Sequence, residues 1–97
     1  MQPVKRIEII IDSPEMPELV ATLRAAGVTG YTVFSPLTGF GDRGERHNDE
    51  PGGGSGNACL LTAVEPGRCD EVIAAVRPIL KRRGGICLVT DAEWVKH

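Results

Sequence analysis

The chain has 97 residues, 41% hydrophobic and 25% charged, with a formal net charge of -2, which is the composition of an ordinary soluble globular protein built round one small core. That charge and a pI near 5.6 argue against a dedicated nucleic-acid or anionic-membrane binder. No apolar run approaches the ~18 residues of a membrane span, and no stretch reads as a signal peptide, so a cytoplasmic location is expected.

Residues 4–12 (VKRIEIIID) are β-branched and almost continuously apolar from Ile7 to Ile11, which predicts a buried central strand. Ser13-Pro14 then supplies an N-cap followed by Pro at the first helical position, with Glu15 and Glu18 at the positive end of the helix. Met16, Leu19, Val20 and Leu23 follow at helical spacing, and Gly27 closes the helix as a left-handed cap. Residues 30–35 (GYTVFS) read as a second strand, with Tyr31, Val33 and Ser35 on one side and Thr32 and Phe34 on the other.

Residues 36–57 (PLTGFGDRGERHNDEPGGGSGN) carry no helical or strand period, and a structureless stretch of that length is usually functional or disordered. Near its start, Gly39, Phe40, Gly41 and Arg43 offer close-approaching backbone N–H groups and a cation, a combination suited to an anion. Gly52 to Gly54 with Ser55 and Gly56 reads as flexible linker instead of a phosphate cradle.

Residues 58–65 (ACLLTAVE) form a third strand, stopped by Pro66-Gly67. A helical face follows in Val72, Ile73, Val76, Ile79 and Leu80, with acids at its start and Lys81, Arg82 and Arg83 at its end, as the helix dipole favours. Pro78 is expected to kink this helix or end it early. Gly84-Gly85 terminates it, residues 86–90 (ICLVT) form a fourth strand, and residues 91–97 are a tail of undecided conformation.

The order β-α-β-β-α-β predicts an α+β, ferredoxin-like domain over residues 1–97, with a four-stranded antiparallel sheet and both helices on one face. The other face would be left open, and self-association is one way to cover it. Among chemistry-bearing residues, Cys59, Cys69 and Cys87 form no CxxC, and His47 and His97 lack ligand-spaced partners, so no metal is assigned. No catalytic motif occurs. A binding site is better supported: the loop start and the glycine-arginine end of the second helix could together hold phosphate, although Arg82 and Arg83 also serve as simple dipole partners.

The pieces KRIEIII, GVTGYTV, TGFGDRG and GGICLVTDAEW, in that order, resemble the PII superfamily of signalling proteins over nearly the whole chain. The GYTV segment with a Gly/Arg-bearing loop, and GGI…AEW near the end, look more like the PII-like branch linked to bicarbonate transport and carboxysomes. The resemblance implies a non-catalytic homotrimer that binds adenine nucleotides between subunits and signals to a target protein through a long T-loop, here about residues 38–57. Carried over by position, Gly30, Tyr31 and Thr32 would face the adenine end, with Ile10 and Val64 as apolar lining. Gly39, Phe40, Gly41 and Arg43 would form the loop base near the phosphates, with Arg46 a further candidate. Arg83, Gly84 and Gly85 stand at the B-loop, and Lys96 stands where PII proteins have a C-terminal phosphate-binding Arg.

Three departures qualify what the resemblance implies. The B-loop is short and the second C-terminal Arg is missing, which predicts AMP or ADP, or a cyclic nucleotide, over ATP. The loop has no tyrosine, so uridylylation is not expected. Arg43 aligns with the loop Gln that helps hold metal and 2-oxoglutarate, which points away from that effector and toward a small anion such as bicarbonate. Two alternatives are a slow nucleotide hydrolase using Asp42, Glu45 or His47, and a metal-binding trimer using Cys59, His47 or His97.

Overall fold

Strand β1 (Gln2–Asp12) lies in the middle of the sheet, as a run apolar on both faces requires. It pairs antiparallel with β5 (Asn57–Val64), from Lys5↔Val64 to Asp12↔Asn57, and with β6 (Ile86–Trp94), from Gln2↔Trp94 to Ile10↔Ile86. Strand β2 (Thr32–Leu37) pairs antiparallel with the free edge of β5, so the order across the sheet is β2-β5-β1-β6. The computed structural model describes residues 1–37, 39–41, 44–46 and 56–97. With helices α1 (Met16–Ala25) and α2 (Cys69–Arg83), the fold is the expected α+β ferredoxin-like arrangement.

The period of two along β1 sorts the two faces. Ile7, Ile9 and Ile11 are buried beside Thr62, Leu60 and Ala58 of β5, their register partners. Leu19 and Leu23 from α1 and Val72, Val76 and Ile79 from α2 complete this aliphatic core. Each such side chain gains roughly 1.5–3 kcal/mol on burial. On the opposite face Ile10 pairs with Cys59 and Ile86, and Glu8 with Leu61 and Leu88. No described helix covers this face, and Phe34, Ile86 and Leu88 stand about half exposed there at 48%, 45% and 52%.

The start of the first helix differs from the sequence expectation, while its end agrees with it. Ser13, expected as the N-cap, is the first residue of a 3-10 turn (Ser13–Glu15), and its N–H donates to the Gly56 carbonyl at 2.9 Å. Pro14 is the second residue of that turn and Pro17 falls in the first turn of α1, where neither costs an intrahelical bond. At the other end, Gly27 has φ +92°, its N–H donates to Arg24 O and that of Val28 to Leu23 O, each at 3.0 Å. This is a Schellman closure, with Val28 and Leu23 both buried in the core.

Pro78 does not end α2 early: the helix runs on to Arg83. A proline removes a single donor, and the buried Val76 and Ile79 on either side keep the segment against the sheet. The last turn of α2 meets the first turn of α1, where Arg82 pairs with Glu18 at 2.6 Å and Arg83 with Glu15 at 2.9 Å. These pairs are half exposed and worth at most about 1 kcal/mol each. Strand β6 continues to Trp94, so most of the undecided tail is sheet.

The stretch expected to lack strand character contains a short antiparallel ladder, β3 (Gly39–Gly41) against β4 (Gly44–Arg46), with Gly39↔Arg46, Phe40↔Glu45 and Gly41↔Gly44 as partners. Backbone pairing needs no alternation of apolar side chains, so a glycine-rich hairpin gives no periodic signal. Between Phe34 and Leu37 the β2 register shifts, which accommodates Pro36 on an edge strand. Thr38, Asp42, Arg43, His47 and the glycine run at 52–54 lie outside the described residues.

Leu60→Ala is expected to destabilise the protein by about 2–5 kcal/mol, measured by urea unfolding, because Leu60 is fully buried at the centre of the sheet. Leu88→Ala on the open face of the same sheet should cost the isolated chain under about 1 kcal/mol.

Candidate functional site

Between the end of α1 and the start of β2 runs a connector, residues 26–31, with no regular structure of its own. It forms one wall of a cleft of about 640 Å³. The opposite walls come from the end of β5 (Leu61 to Glu65), from Val4 and Arg6 of β1, and from Ala92, Glu93 and Trp94 of β6. The cleft therefore opens where β1 begins and β6 ends. Its lining mixes an apolar floor (Val4, Val64, the Trp94 ring) with charged groups (Arg6, Glu65, Arg68, Glu93), which suits a flat, partly apolar ligand bearing charge.

Two side chains reach the connector from elsewhere in the chain. Thr62 Oγ1, from β5, donates to the Gly30 carbonyl at 2.6 Å. Arg68, in the turn before α2, donates from Nη2 to the Ala26 carbonyl and from Nη1 to the Gly27 carbonyl at 3.5 Å. Its Nε holds Glu71 Oε1 at 2.9 Å, and this hydrogen bond keeps the Glu71 carboxyl below its usual pKa while raising that of the guanidinium. Gly27 is needed here on two counts: its φ is left-handed, and a Cβ would stand 2.9 Å from both Arg68 terminal nitrogens.

Of the residues singled out in the sequence, Gly30, Tyr31, Thr32 and Val64 come together in this cleft. Lys96 lines an adjoining depression that shares Val4, Val64, Glu65 and Trp94 with it. Ile10, Gly84 and Gly85 are at the other end of the sheet. Ile10 pairs with Ile86, the residue after Gly85, and a Cβ on Gly85 would lie 2.8 Å from the Ile10 carbonyl and 2.7 Å from Ile11 Cγ2. Val64 pairs with Lys5, five residues from Ile10 along β1, so Val64 and Ile10 are about 17 Å apart along the strand, whereas Thr32 pairs with Leu61 and stands level with Glu8. Arg83 stays by the second group, ion-paired to Glu15.

The loop-base residues Gly39, Phe40, Gly41 and Arg46 fall on the β3–β4 ladder, and Arg43 lies outside the described residues. Arg6, Arg68 and Trp94 line the cleft but were not singled out from the sequence. Arg68 had a signal of a kind: a cation just before a helix is poorly placed for the dipole and needs another reason to be there. Arg6 and Trp94 had none, since only strand pairing brings residues 6 and 94 to one place.

The thiols of Cys59 and Cys87 are pushed up, in both cases chiefly by burial, and for Cys59 also by the neighbouring Glu8 carboxylate. Among the described residues, no three His, Cys, Asp or Glu side chains gather in a way that could hold a metal ion.

Comparison with known proteins adds an independent line. The family model described as nitrogen regulatory protein P-II matches residues 4–97. CPII from Thiomonas intermedia K12, a nitrogen regulatory PII-like protein solved with ADP, AMP and bicarbonate, aligns with a TM-score of 0.85 at 24% identity, over 95% of this chain and 88% of that one. CPII with ADP and bicarbonate aligns at 0.82 and 24% identity, covering 95% and 88%. A PII-like signaling protein from Thermus thermophilus aligns at 0.76 and 26% identity, covering 97% and 91%. The likeness to CPII, at 24% identity, is one of fold. No curated protein matches the chain.

Gly27→Ala should destabilise the protein by about 1 kcal/mol or more, read from the urea midpoint, because the new methyl meets both the left-handed backbone and the Arg68 guanidinium. Gly67→Ala, where a Cβ meets nothing within 4 Å, should be close to neutral in the same assay.

Proposed function

The chain belongs to the nitrogen regulatory protein P-II family, and from that premise we propose that it is a non-catalytic, cytoplasmic, single-domain regulator that binds adenine nucleotides between the subunits of a homotrimer. AMP and ADP are the favoured ligands over ATP, and bicarbonate is a second, small-anion ligand. Occupancy sets the conformation of the T-loop, about residues 38–57, and the loop contacts a target protein in inorganic-carbon metabolism. Nucleic acid and membrane insertion have no part in this reading.

The observation that carries it is the division of the expected ligand residues. Gly30, Tyr31, Thr32, Val64 and Lys96 stand at one end of the sheet, and Ile10, Arg83, Gly84 and Gly85 at the other. Val64 and Ile10 stand about 17 Å apart along β1, and a second copy that brings its Ile10 end against this cleft would let one ligand reach both sets of residues. The half-exposed Phe34, Ile86 and Leu88 on the open face supply apolar area for that association. A ligand held this way couples subunit packing to loop shape through its differential affinity for the two loop states.

Further support comes from the relatives: CPII has been solved bound to ADP, AMP and bicarbonate, and also bound to ADP, AMP and acetate. In this chain Arg43, Gly39, Phe40, Gly41 and Arg46 are the groups proposed at the phosphate and anion end, with Gly84 and Gly85 allowing close backbone approach.

Isothermal titration with AMP, ADP, ATP and cyclic AMP, each with and without bicarbonate, tests the proposal, alongside light scattering for the oligomer. The expected result is a trimer that binds ADP or AMP with a Kd on the order of micromolar, binds ATP more weakly, and responds to bicarbonate in a manner lost in Arg43→Ala. Absence of binding by every nucleotide, or sustained ATP turnover by the pure protein, would overturn it.

A further inference from the structure

We infer that Arg68 and Thr62 are positioning residues of the cleft, holding the 26–31 connector in its binding shape before any ligand arrives. This rests on reading that connector as the adenine-facing wall of the nucleotide site.

The connector carries Gly30 and Tyr31, yet it belongs to neither α1 nor β2. Its local bonds are all at the helix end: the Ala26 N–H donates to the Thr22 and Leu23 carbonyls, and Gly27 and Val28 make the Schellman pair. Beyond these, the described structure ties it down from across the chain. Arg68, 42 residues from Ala26, takes the Ala26 and Gly27 carbonyls. Thr62, 32 residues from Gly30, takes the Gly30 carbonyl. The connector is thus pinned at both ends by side chains from β5 and the turn that follows it, the same segment that contributes Val64 to the opposite wall. Both walls of the cleft are thereby fixed to each other.

The guanidinium is itself held. Glu71 fixes Nε, and the left-handed Gly27 leaves room for the two terminal nitrogens that a Cβ would displace. A fork with five donors can satisfy Glu71 and two carbonyls at once, which a lysine ammonium on a flexible stem does less well. Side chains that order a loop before binding raise affinity by removing the ordering cost from the binding step.

Arg68→Met and Thr62→Val test this, with Arg68→Lys as the conservative variant. Thr62→Val removes one hydroxyl at constant shape, so it remains informative should Arg68→Met fold poorly. Hydrogen exchange of the residue 27–32 amides is measured in the ligand-free protein, and ADP affinity by titration. Both substitutions should speed exchange in 27–32 while leaving the amides of β1 protected. Both should raise the ADP Kd about tenfold, the scale of one lost ordering bond, with Arg68→Lys in between. A purely structural role would lower the Tm and leave both the exchange of 27–32 and the Kd unchanged, which would overturn the inference. A raised Kd with unchanged exchange would also overturn it, because Arg68 or Thr62 would then be a direct ligand contact. If the parent protein binds no ADP, the proposed function fails, while the exchange of 27–32 still decides whether these residues position the connector.

Discussion

The alternation of isoleucines along β1 is the constraint from which the rest of the molecule follows. Ile7, Ile9 and Ile11 are buried under both helices, while Ile10 between them faces the other way. Because successive side chains in a strand point to opposite faces, one register decides what is sealed and what is left open. A slip of one residue would put Glu8 into the core. The pairing of β1 with both β5 and β6 holds that register along almost its whole length.

The two faces have different fates. The helix-covered side is satisfied within the chain, and its charges are arranged at the rim, with Glu15 and Glu18 meeting Arg82 and Arg83 where the helix ends cross. The open side carries Phe34, Ile86 and Leu88 in apolar company, interrupted by Arg6 and Glu8, which are 3.5 Å apart. An apolar face with a polar pair in its middle is poorly suited to water and well suited to a partner surface that packs in one orientation.

The order of elements, the central strand, both apolar helix stripes and the Gly27 stop were legible because each is a local pattern: a period of two, a period near 3.6, or a residue free of a Cβ. The misses were local as well, but the local rule was outweighed. Pro78 was expected to kink α2 or end it early, and the early end does not occur because the burial of Val76 and Ile79 carries the helix to Arg83. Ser13 looked like a cap and became part of a 3-10 turn tied to Gly56. The β3–β4 ladder escaped notice because its glycine-rich strands lack side-chain alternation.

The residue pattern alone determined the fold class and the resemblance to the PII superfamily, since both are written in short segments whose order along the chain carries the information. It also brought forward Gly30, Tyr31, Thr32 and Val64, which do share a cleft. Tertiary structure alone decided that Arg68 and Thr62 hold that cleft's wall, that Arg6 and Trp94 line it, and that Ile10 and Gly85 stand at the far end of the sheet. The reason is physical: these relations join residues dozens of positions apart, and only strand register and helix packing give such pairs a common address.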